Sequence, residues 1–184
     1  MTSVITIGQI TQKLKKMSTI RFCADPHFGH ANMALNRKFH DVFYHDEHII
    51  DQWNSVVYKR DVTYILGDIT MEKRTNYDIL DRLSGIKIVV MGNHDMKNHA
   101  RSLLDHVDHV AGAIKLRLNG LNVMLTHIPV HPMEFDYKLD FNIHGHIHSQ
   151  VVMNKLMKPD PRYIGVSMEQ INYTPKTFEE LTKI

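Results

Sequence analysis

Apolar stretches alternate with amphipathic stretches through the first part of the chain. The segments TIRFCAD (19–25) and VTYILGD (62–68) are apolar runs that each end in an aspartate, as expected of buried strands that deliver a carboxylate to a sheet edge. Between them, an acidic pair at Asp46 and Glu47 precedes apolar residues at helical spacing, which predicts a helix packed on a sheet. These apolar residues are Ile49, Ile50, Trp53, Val56 and Val57.

The same alternation occurs once more and then changes. The segment NYDILDRLSG predicts a second helix that stops at Gly85, and IKIVVMG predicts a buried strand that runs into Asn93. From about Val110, two strand-like runs are joined by Asn119-Gly120, which is a strong hairpin signal. The second half of the chain is therefore expected to be partly antiparallel.

The last part of the chain predicts two further strands and a helix. The strands correspond to FNIHGH and RYIGVSM, and the final helix is predicted to have Thr174 as its N-cap and Pro175 at its first position. Residues 1–17 are expected to be a peripheral N-terminal extension. The alternative for that segment is a short helix whose KLKK sequence would suit an anionic surface. We expect a single domain over 18–184.

Composition excludes several classes of protein. The 184 residues fit one domain, and fractions of 43% hydrophobic and 23% charged residues are those of a soluble globular protein. No apolar run approaches the roughly 20 residues of a membrane helix, and the first residues lack the features of a secretory signal. One cysteine, Cys23, is expected to be a buried small hydrophobe in a reducing cytoplasm. The net charge of +2 is spread along the chain, which gives no electrostatic footprint for duplex nucleic acid.

Histidine is unusually abundant, with 14 residues. It is the side chain most used for both metal binding and proton transfer near neutral pH, so its positions matter. Six histidines lie in polar, helix-like segments, where solvent exposure or capping is the expected role. They are His40, His45, His48, His99, His106 and His109.

Polar residues that can bind a metal follow five successive strand-like runs. Loops beyond the carboxyl ends of strands are where sites assemble in α/β sheets, so residues far apart in sequence can meet there. Carboxylates, imidazoles and an amide oxygen suit manganese, iron, zinc or nickel, and the absence of cysteine ligands argues against a structural zinc site. The residues are Asp25, His27, Asp68, Asn93, His94, Asp95, His127, His146 and His148.

The sequence resembles the calcineurin-like metallophosphoesterases from about Ile20 to the C-terminus, and most closely the small single-domain members of bacteria and their phages. The resemblance implies an α/β fold in which two mixed β-sheets pack as a sandwich flanked by helices. It is carried by five motifs that occur in order, namely Asp25-Pro-His27, Gly67-Asp68, Gly92-Asn93-His94-Asp95, His127 and Gly145-His146-x-His148.

The resemblance also implies a site with two divalent transition metal ions, for which manganese is the first choice and iron, zinc or nickel are alternatives. Asp68 would bridge both ions. His94 would be the general acid, with Asp95 orienting its ring, and a hydroxide between the metals would attack phosphorus. His144 has no metal role in the family pattern and is expected to support the site. The remaining ligands would be Asp25, His27 and His148 for the first metal and Asn93, His127 and His146 for the second.

Residues that contact the substrate are less well defined by the sequence. His30 and Arg37 could reach a substrate phosphate, and a surface or structural role is the equal alternative for each. Arg74 and Lys97 follow metal-bearing loops and have the same two alternatives.

The resemblance implies a metal-dependent phosphoester hydrolase. We expect a phosphodiesterase that acts on a small, nucleotide-type substrate in the cytoplasm, and a phosphomonoesterase or protein phosphatase is the alternative. A DNA-repair nuclease is disfavoured because the chain has no room for a capping domain and no basic face. A non-catalytic interaction module is disfavoured because every ligand and the candidate acid are present. The sequence leaves the oligomeric state open.

Overall fold

The structure is a computed structural model, and it describes residues 18–71, 77–95 and 100–183. Within these residues, no helix is long and apolar enough to cross a membrane. Four features considered above lie outside them: the extension over 1–17, Arg74, Lys97 and His99.

The first sheet contains four strands in the order β1-β2-β3-β4, and all three pairings are parallel. The resemblance led us to expect a mixed sheet here, and the antiparallel contact of this sheet among the described residues is an isolated bridge between Phe22 and Lys176. Parallel pairing places the carboxyl ends of these strands along one edge. The strands are β1 (Ile20–Cys23), β2 (Val62–Ile65), β3 (Ile86–Val90) and β4 (His109–Ala111).

The second sheet is mixed and has the order β5-β6-β7-β8. β5 and β6 are antiparallel, whereas β6 pairs with β7, and β7 with β8, in parallel. The hairpin predicted at Asn119-Gly120 is confirmed, with positive φ angles of 50° and 84° as its tight turn requires. The strands are β5 (Ile114–Leu118), β6 (Leu121–Thr126), β7 (Phe141–His144) and β8 (Tyr163–Gly165).

The described helices are short except for α2. α2 begins at Val42, earlier than the acidic pair suggested, because the side chain of Asp41 accepts a hydrogen bond from the backbone N–H of Tyr44. Its buried face includes Ile49 and Trp53, as the helical spacing predicted. The helices are α1 (Ala31–Asn36), α2 (Val42–Val56), α3 (Ala100–Leu103) and α4 (Phe178–Thr182), with 3₁₀ helices at Asp78–Arg82 and Pro132–Tyr137.

Two helix predictions need correction. The segment before Gly85 contains a single 3₁₀ helix, Asp78–Arg82, in its described part. The final helix begins at Phe178 and not near Pro175, because Thr177 and Glu180 form a reciprocal capping box. The hydroxyl of Thr174 donates instead to the side-chain oxygen of Gln52.

Both sheets contribute to one hydrophobic core, as a sandwich of two sheets flanked by helices does. A seam joins them where Ala24, just beyond β1, pairs with Ser167, just beyond β8. There the backbone N–H of Ala24 donates to the carbonyl of Val166 at 2.8 Å. The carboxyl ends of β1 and β8 therefore lie side by side, and the loops that follow the strands of both sheets can meet.

Candidate metal centre

Backbone hydrogen bonds bring together the loops that follow the strands. Asp25 N–H donates to the carbonyl of Gly67 at 3.0 Å, and His27 N–H donates to the carbonyl of Asp68 at 3.1 Å. In the second sheet, Gly145 N–H donates to the carbonyl of His127 at 3.0 Å. These contacts draw residues from distant parts of the sequence into one pocket.

Glycine at position 92 allows two of these loops to approach each other. A Cβ atom at Gly92 would lie 2.5 Å from the backbone nitrogen of Asp68 and would also clash with its carboxylate. The backbone N–H of Gly92 donates to Asp95 Oδ2 at 2.9 Å, which holds this close arrangement. The glycine is therefore required for the position of the Asp68 carboxylate.

Backbone strain is concentrated at the expected ligands. Residues other than glycine rarely adopt positive φ angles, and such conformations persist only where surrounding contacts impose them, often at functional sites. Five of the seven expected ligands have φ between 50° and 71°: Asp25, His27, Asp68, His146 and His148.

The first group of candidate ligands consists of Asp25, His27 and His148, with one donor atom from each within 4.8 Å of the others. His27 is 2% exposed, and neither of its ring nitrogens has a hydrogen-bond partner. Burial lowers the pKa of His27 to about 3, so the ring is neutral near pH 7. A buried neutral imidazole without a partner has a lone pair available for a cation.

The carboxylate of Asp25 is held in place by the second sheet. Its Oδ2 atom accepts hydrogen bonds from Ser167 Oγ at 2.6 Å and from the backbone N–H of His146 at 2.9 Å. Burial raises the pKa of this carboxyl group to about 6. Divalent cations compensate a buried carboxylate of this kind, which fits a metal at the first group.

The second group consists of Asp68, His127 and His146, again with donor atoms within 4.8 Å of one another. His127 Nδ1 lies 2.8 Å from the carbonyl oxygen of Leu66. A carbonyl oxygen only accepts hydrogen bonds, so Nδ1 must carry the ring proton. His127 Nε2 then has a lone pair in the neutral ring, and three further acceptors or ligand atoms face it. They are Asn93 Oδ1 at 2.9 Å, His146 Nδ1 at 3.2 Å and Asp68 Oδ2 at 3.3 Å.

Converging lone pairs of this kind repel one another unless a proton or a metal ion lies among them. Burial would lower the pKa of His127, but the hydrogen bond and charge of Asp68 outweigh it and raise this pKa. The site thus favours positive charge at the His127 Nε2 position. Oxygen and nitrogen donors without thiolates fit divalent manganese, iron, zinc or nickel.

Asp68 stands between the two groups. Its Oδ2 atom is 3.3 Å from His127 Nε2 in the second group and 4.0 Å from His27 Nε2 in the first. Asp68, which belongs to the second group, thus also lies close to a histidine of the first group. The seven expected ligands are all brought to this pocket.

His94 also lies at this pocket. Its backbone N–H donates to Asp68 Oδ1 at 3.0 Å, and its Nε2 atom is 3.9 Å from Asp68 Oδ2. Its side chain is 28% exposed, and its ring centre is 5.7 Å from that of His27. The imidazole is therefore near both candidate metal positions and accessible to solvent.

Asp95 is expected to orient the ring of His94, but its described hydrogen bonds are to backbone N–H groups. Its carboxylate accepts hydrogen bonds from the backbone N–H groups of Asp68, Ile69 and Gly92, at 2.7, 3.1 and 2.9 Å. The side chain is fully buried. These contacts hold the loop that carries Asp68 against the loop that carries His94.

The two residues considered for substrate contact lie in different environments. His30 is partly exposed beside the pocket, with its ring centre 5.8 Å from that of His27 in an edge-on contact. The side chain of Arg37 is 1% exposed and bonds to protein groups behind the first group of ligands. The structure therefore favours the structural alternative for Arg37.

His45 requires a correction and His144 behaves as expected. His45 is fully buried, although its polar neighbourhood predicted exposure or capping. His144 is also buried, lies outside both ligand groups and places Nδ1 2.9 Å from the carbonyl of Gly145.

Two residues at the pocket were missed by sequence reasoning, namely Ser167 and Glu169. Ser167 bonds to Asp25, and Glu169 Oε1 lies 3.1 Å from His148 Nδ1. Burial would raise the pKa of Glu169, but hydrogen bonds from His148 and Arg37 lower it to about 2. Both residues follow β8, so inspecting the end of that strand would have found them.

Sequence comparisons align most of the chain with other proteins. No family model matches the chain. The uncharacterized protein MJ1445 of Methanocaldococcus jannaschii is 30% identical over 177 residues, which cover 91% of this chain and 92% of the relative. The gene 66 protein of Mycobacterium phage D29 is 31% identical over 177 residues, covering 82% of this chain and 88% of the relative.

Two solved structures are also similar. A protein of unknown function from Aquifex aeolicus, AQ665, aligns with a TM-score of 0.71 and 26% identity, covering 90% of this chain and 98% of that one. A novel archaeal phosphodiesterase aligns with a TM-score of 0.46 and 16% identity over 81% and 82% of the two chains. The structural similarity to the archaeal phosphodiesterase is too low to indicate a shared activity.

Proposed function

The chain belongs to the family that contains protein MJ1445 of Methanocaldococcus jannaschii and the gene 66 protein of Mycobacterium phage D29, and we propose that it is a metal-dependent phosphoester hydrolase of the calcineurin-like type. The names of these relatives state no activity. The proposal is supported by the five ordered motifs and by the pocket in which their side chains meet.

The position of Asp68 between two groups of ligands is the observation that carries this proposal. Asp68 Oδ2 lies 3.3 Å from His127 Nε2 and 4.0 Å from His27 Nε2, so one carboxylate is close to a histidine of each group. Seven ligands divided by a shared carboxylate suit two ions better than one. We propose Asp25, His27 and His148 for the first ion, and Asn93, His127 and His146 for the second.

Two bound divalent cations supply an activated water and neutralise the charge of a transferring phosphoryl group. The protein residues have separate tasks around them. Asp68 holds both ligand groups at a common position, and Ser167 fixes the carboxylate of Asp25. Asp95 holds the loops of Asp68 and Gly92 together through three backbone hydrogen bonds.

We assign the general acid to His94. The leaving alkoxide of a phosphoester is a strong base, so it departs more readily when a protonated group donates to it. The imidazole of His94 is near Asp68 and partly exposed, which supports a role in which it meets substrate and solvent. Asn93, its neighbour, supplies the metal ligand from the same loop.

For the substrate we propose a small nucleotide-type phosphodiester, and a phosphomonoester or phosphoprotein is the alternative. A net charge of +2 gives no basic face for duplex nucleic acid, which supports a small substrate. We also propose a reducing, cytoplasmic environment, because the one cysteine, Cys23, is free and buried.

A substrate screen tests this proposal. The purified chain, loaded with Mn²⁺, is assayed against bis(p-nitrophenyl) phosphate, p-nitrophenyl phosphate, cyclic nucleotides, dinucleotides and a phosphoprotein. We expect turnover of diesters to exceed that of monoesters, and Asp68→Ala to be inactive on all. A preference for monoesters would select the alternative substrate class. Equal turnover by the wild type and Asp68→Ala would refute the catalytic site.

A further inference from the structure

The buried guanidinium of Arg37 makes four hydrogen bonds behind the first group of ligands. Nη2 donates to the carbonyl of Asp25 at 2.7 Å, and Nη1 donates to the carbonyl of Pro26 at 3.1 Å. Nη1 also lies 2.9 Å from His45 Nε2, and Nε donates to Glu169 Oε1 at 2.8 Å. Arg37 thus connects the backbone of one ligand loop to a carboxylate from the end of β8.

The polarity of the hydrogen bonds around His45 follows from its partners. Every nitrogen of Arg37 is a donor, so His45 Nε2 must accept. His45 Nδ1 then carries the proton and donates to Asp46 Oδ1 at 2.7 Å. The other oxygen of Asp46 accepts from the backbone N–H of Gly29 at 2.9 Å, within the loop that carries His27. Through His45 and Asp46, these hydrogen bonds therefore reach the loop that carries His27 at a second point.

Glu169 connects Arg37 to a candidate metal ligand, His148. Its Oε1 atom accepts from Arg37 and lies 3.1 Å from His148 Nδ1, so His148 Nδ1 must be the donor. In the neutral ring, His148 Nε2 then keeps its lone pair for a cation. A carboxylate that accepts from a ligating histidine fixes its tautomer and orientation and increases its basicity.

Among the described contacts, no carboxylate is hydrogen-bonded to Nδ1 of the second group's central histidine, His127, although Asp25 Oδ1 lies 3.8 Å from it. His127 Nδ1 is held by the backbone carbonyl of Leu66, which carries no net charge. The two groups therefore differ in their hydrogen bonds, because Nδ1 of His148 contacts a charged carboxylate and Nδ1 of His127 contacts a neutral carbonyl.

We propose that Glu169, held by Arg37, is a positioning residue that sets the metal affinity of the first group, Asp25, His27 and His148, by acting through His148. The proposal rests on the two-metal site of the proposed function. It assigns Glu169 and Arg37 to metal retention and not to substrate contact. Loss of the Glu169 charge weakens the first metal and leaves the second bound.

Calorimetric titration of the metal-free chain with Mn²⁺ tests this assignment. We expect two binding steps for the wild type, and Glu169→Gln should weaken one of them by about 10–100-fold. Glu47→Gln is the matched control, because Glu47 is also paired with an arginine, Arg82, but at the surface. The control should bind Mn²⁺ as the wild type does.

A double-mutant cycle distinguishes positioning through His148 from a general loss of structure. In a His148→Ala chain, adding Glu169→Gln should cause no further loss of Mn²⁺ affinity, because the ligand that Glu169 supports is already absent. A further loss of the same size as in the wild type would overturn the proposal. Glu169→Asp, which keeps the charge, should recover part of the affinity.

Nitrogen NMR of the Zn²⁺-loaded chain supplies a readout independent of activity. In the wild type, His148 should carry its proton on Nδ1 and bind zinc through Nε2; the opposite tautomer would overturn the proposal. If the wild type binds two metals and Glu169→Gln binds them equally well, the positioning role is wrong and the proposed function stands. If the wild type binds no metal, the proposed function itself fails.

Discussion

His127 Nδ1 lies 2.8 Å from the carbonyl oxygen of Leu66, and this hydrogen bond determines which ring nitrogen faces the pocket. In the neutral ring with its proton on Nδ1, His127 Nε2 has a lone pair directed into the pocket, 3.3 Å from Asp68 Oδ2. One backbone carbonyl thus gives the ring of His127 the orientation and tautomer that a metal ligand at Nε2 needs.

His127→Ala should therefore remove one metal and keep the other. The first group of ligands does not include His127, so its donor atoms remain. Metal analysis after loading with Mn²⁺ and gel filtration should show about half of the wild-type content. His40→Ala, at an exposed histidine, is the control and should keep the full content. Full metal content in His127→Ala would exclude it as a ligand.

Asp68→Ala should damage both metal positions, in contrast to His127→Ala. Its carboxylate lies within 4.0 Å of a histidine nitrogen in each group, so in the proposed two-metal site its loss removes a ligand shared by both. Calorimetry should show weaker Mn²⁺ binding in both steps, and turnover should be abolished. Weakening of a single step would assign Asp68 to one metal and contradict the bridging role.

His94→Ala should separate metal binding from proton donation. We expect it to keep both metals and to lose roughly 10²–10⁴-fold in rate on esters with basic alkoxide leaving groups. Esters with a nitrophenol leaving group need little protonation and should lose much less. Equal losses on both substrates would assign His94 to phosphate binding, and loss of metal would make it a ligand.

Gly92→Ala should disturb the site by a purely steric route. The added Cβ would lie 2.5 Å from the backbone nitrogen of Asp68, so we expect a loss of roughly 1–3 kcal/mol in the free energy of unfolding, together with weaker Mn²⁺ binding. Gly112→Ala is the control, since nothing lies within 4 Å of its Cβ position. Urea denaturation measures the free energy of unfolding of both variants. Equal stability of the two would contradict the steric account.

The sequence locates the residues that meet in this pocket, because each follows an apolar run that the fold turns into a strand end. The Thr174-Pro175 signal predicts a start three residues too early for α4, because the Thr177-x-x-Glu180 capping box sets the boundary. Local capping chemistry decided the boundary, and that signal was already present in the sequence.

Buried polar contacts were harder to predict. His45 lies four residues before Ile49 and thus on the buried face of α2, but its polar neighbours suggested exposure. Its partner Arg37 could not be assigned to the interior, because burial of a guanidinium depends on acceptors distant in sequence. Glu169 is 132 positions from Arg37, and no spacing rule relates them.

The dependence of turnover on bound metal tests the two-metal hydrolase most directly. The metal-free chain is titrated with Mn²⁺ while hydrolysis of bis(p-nitrophenyl) phosphate is recorded at each ratio of metal to protein. We predict no turnover without metal, a rise that levels off near two equivalents, and no rise for Asp68→Ala. Turnover that is unchanged by removing metal, or that is absent at every ratio with Mn²⁺, Fe²⁺, Zn²⁺ and Ni²⁺, would contradict the account.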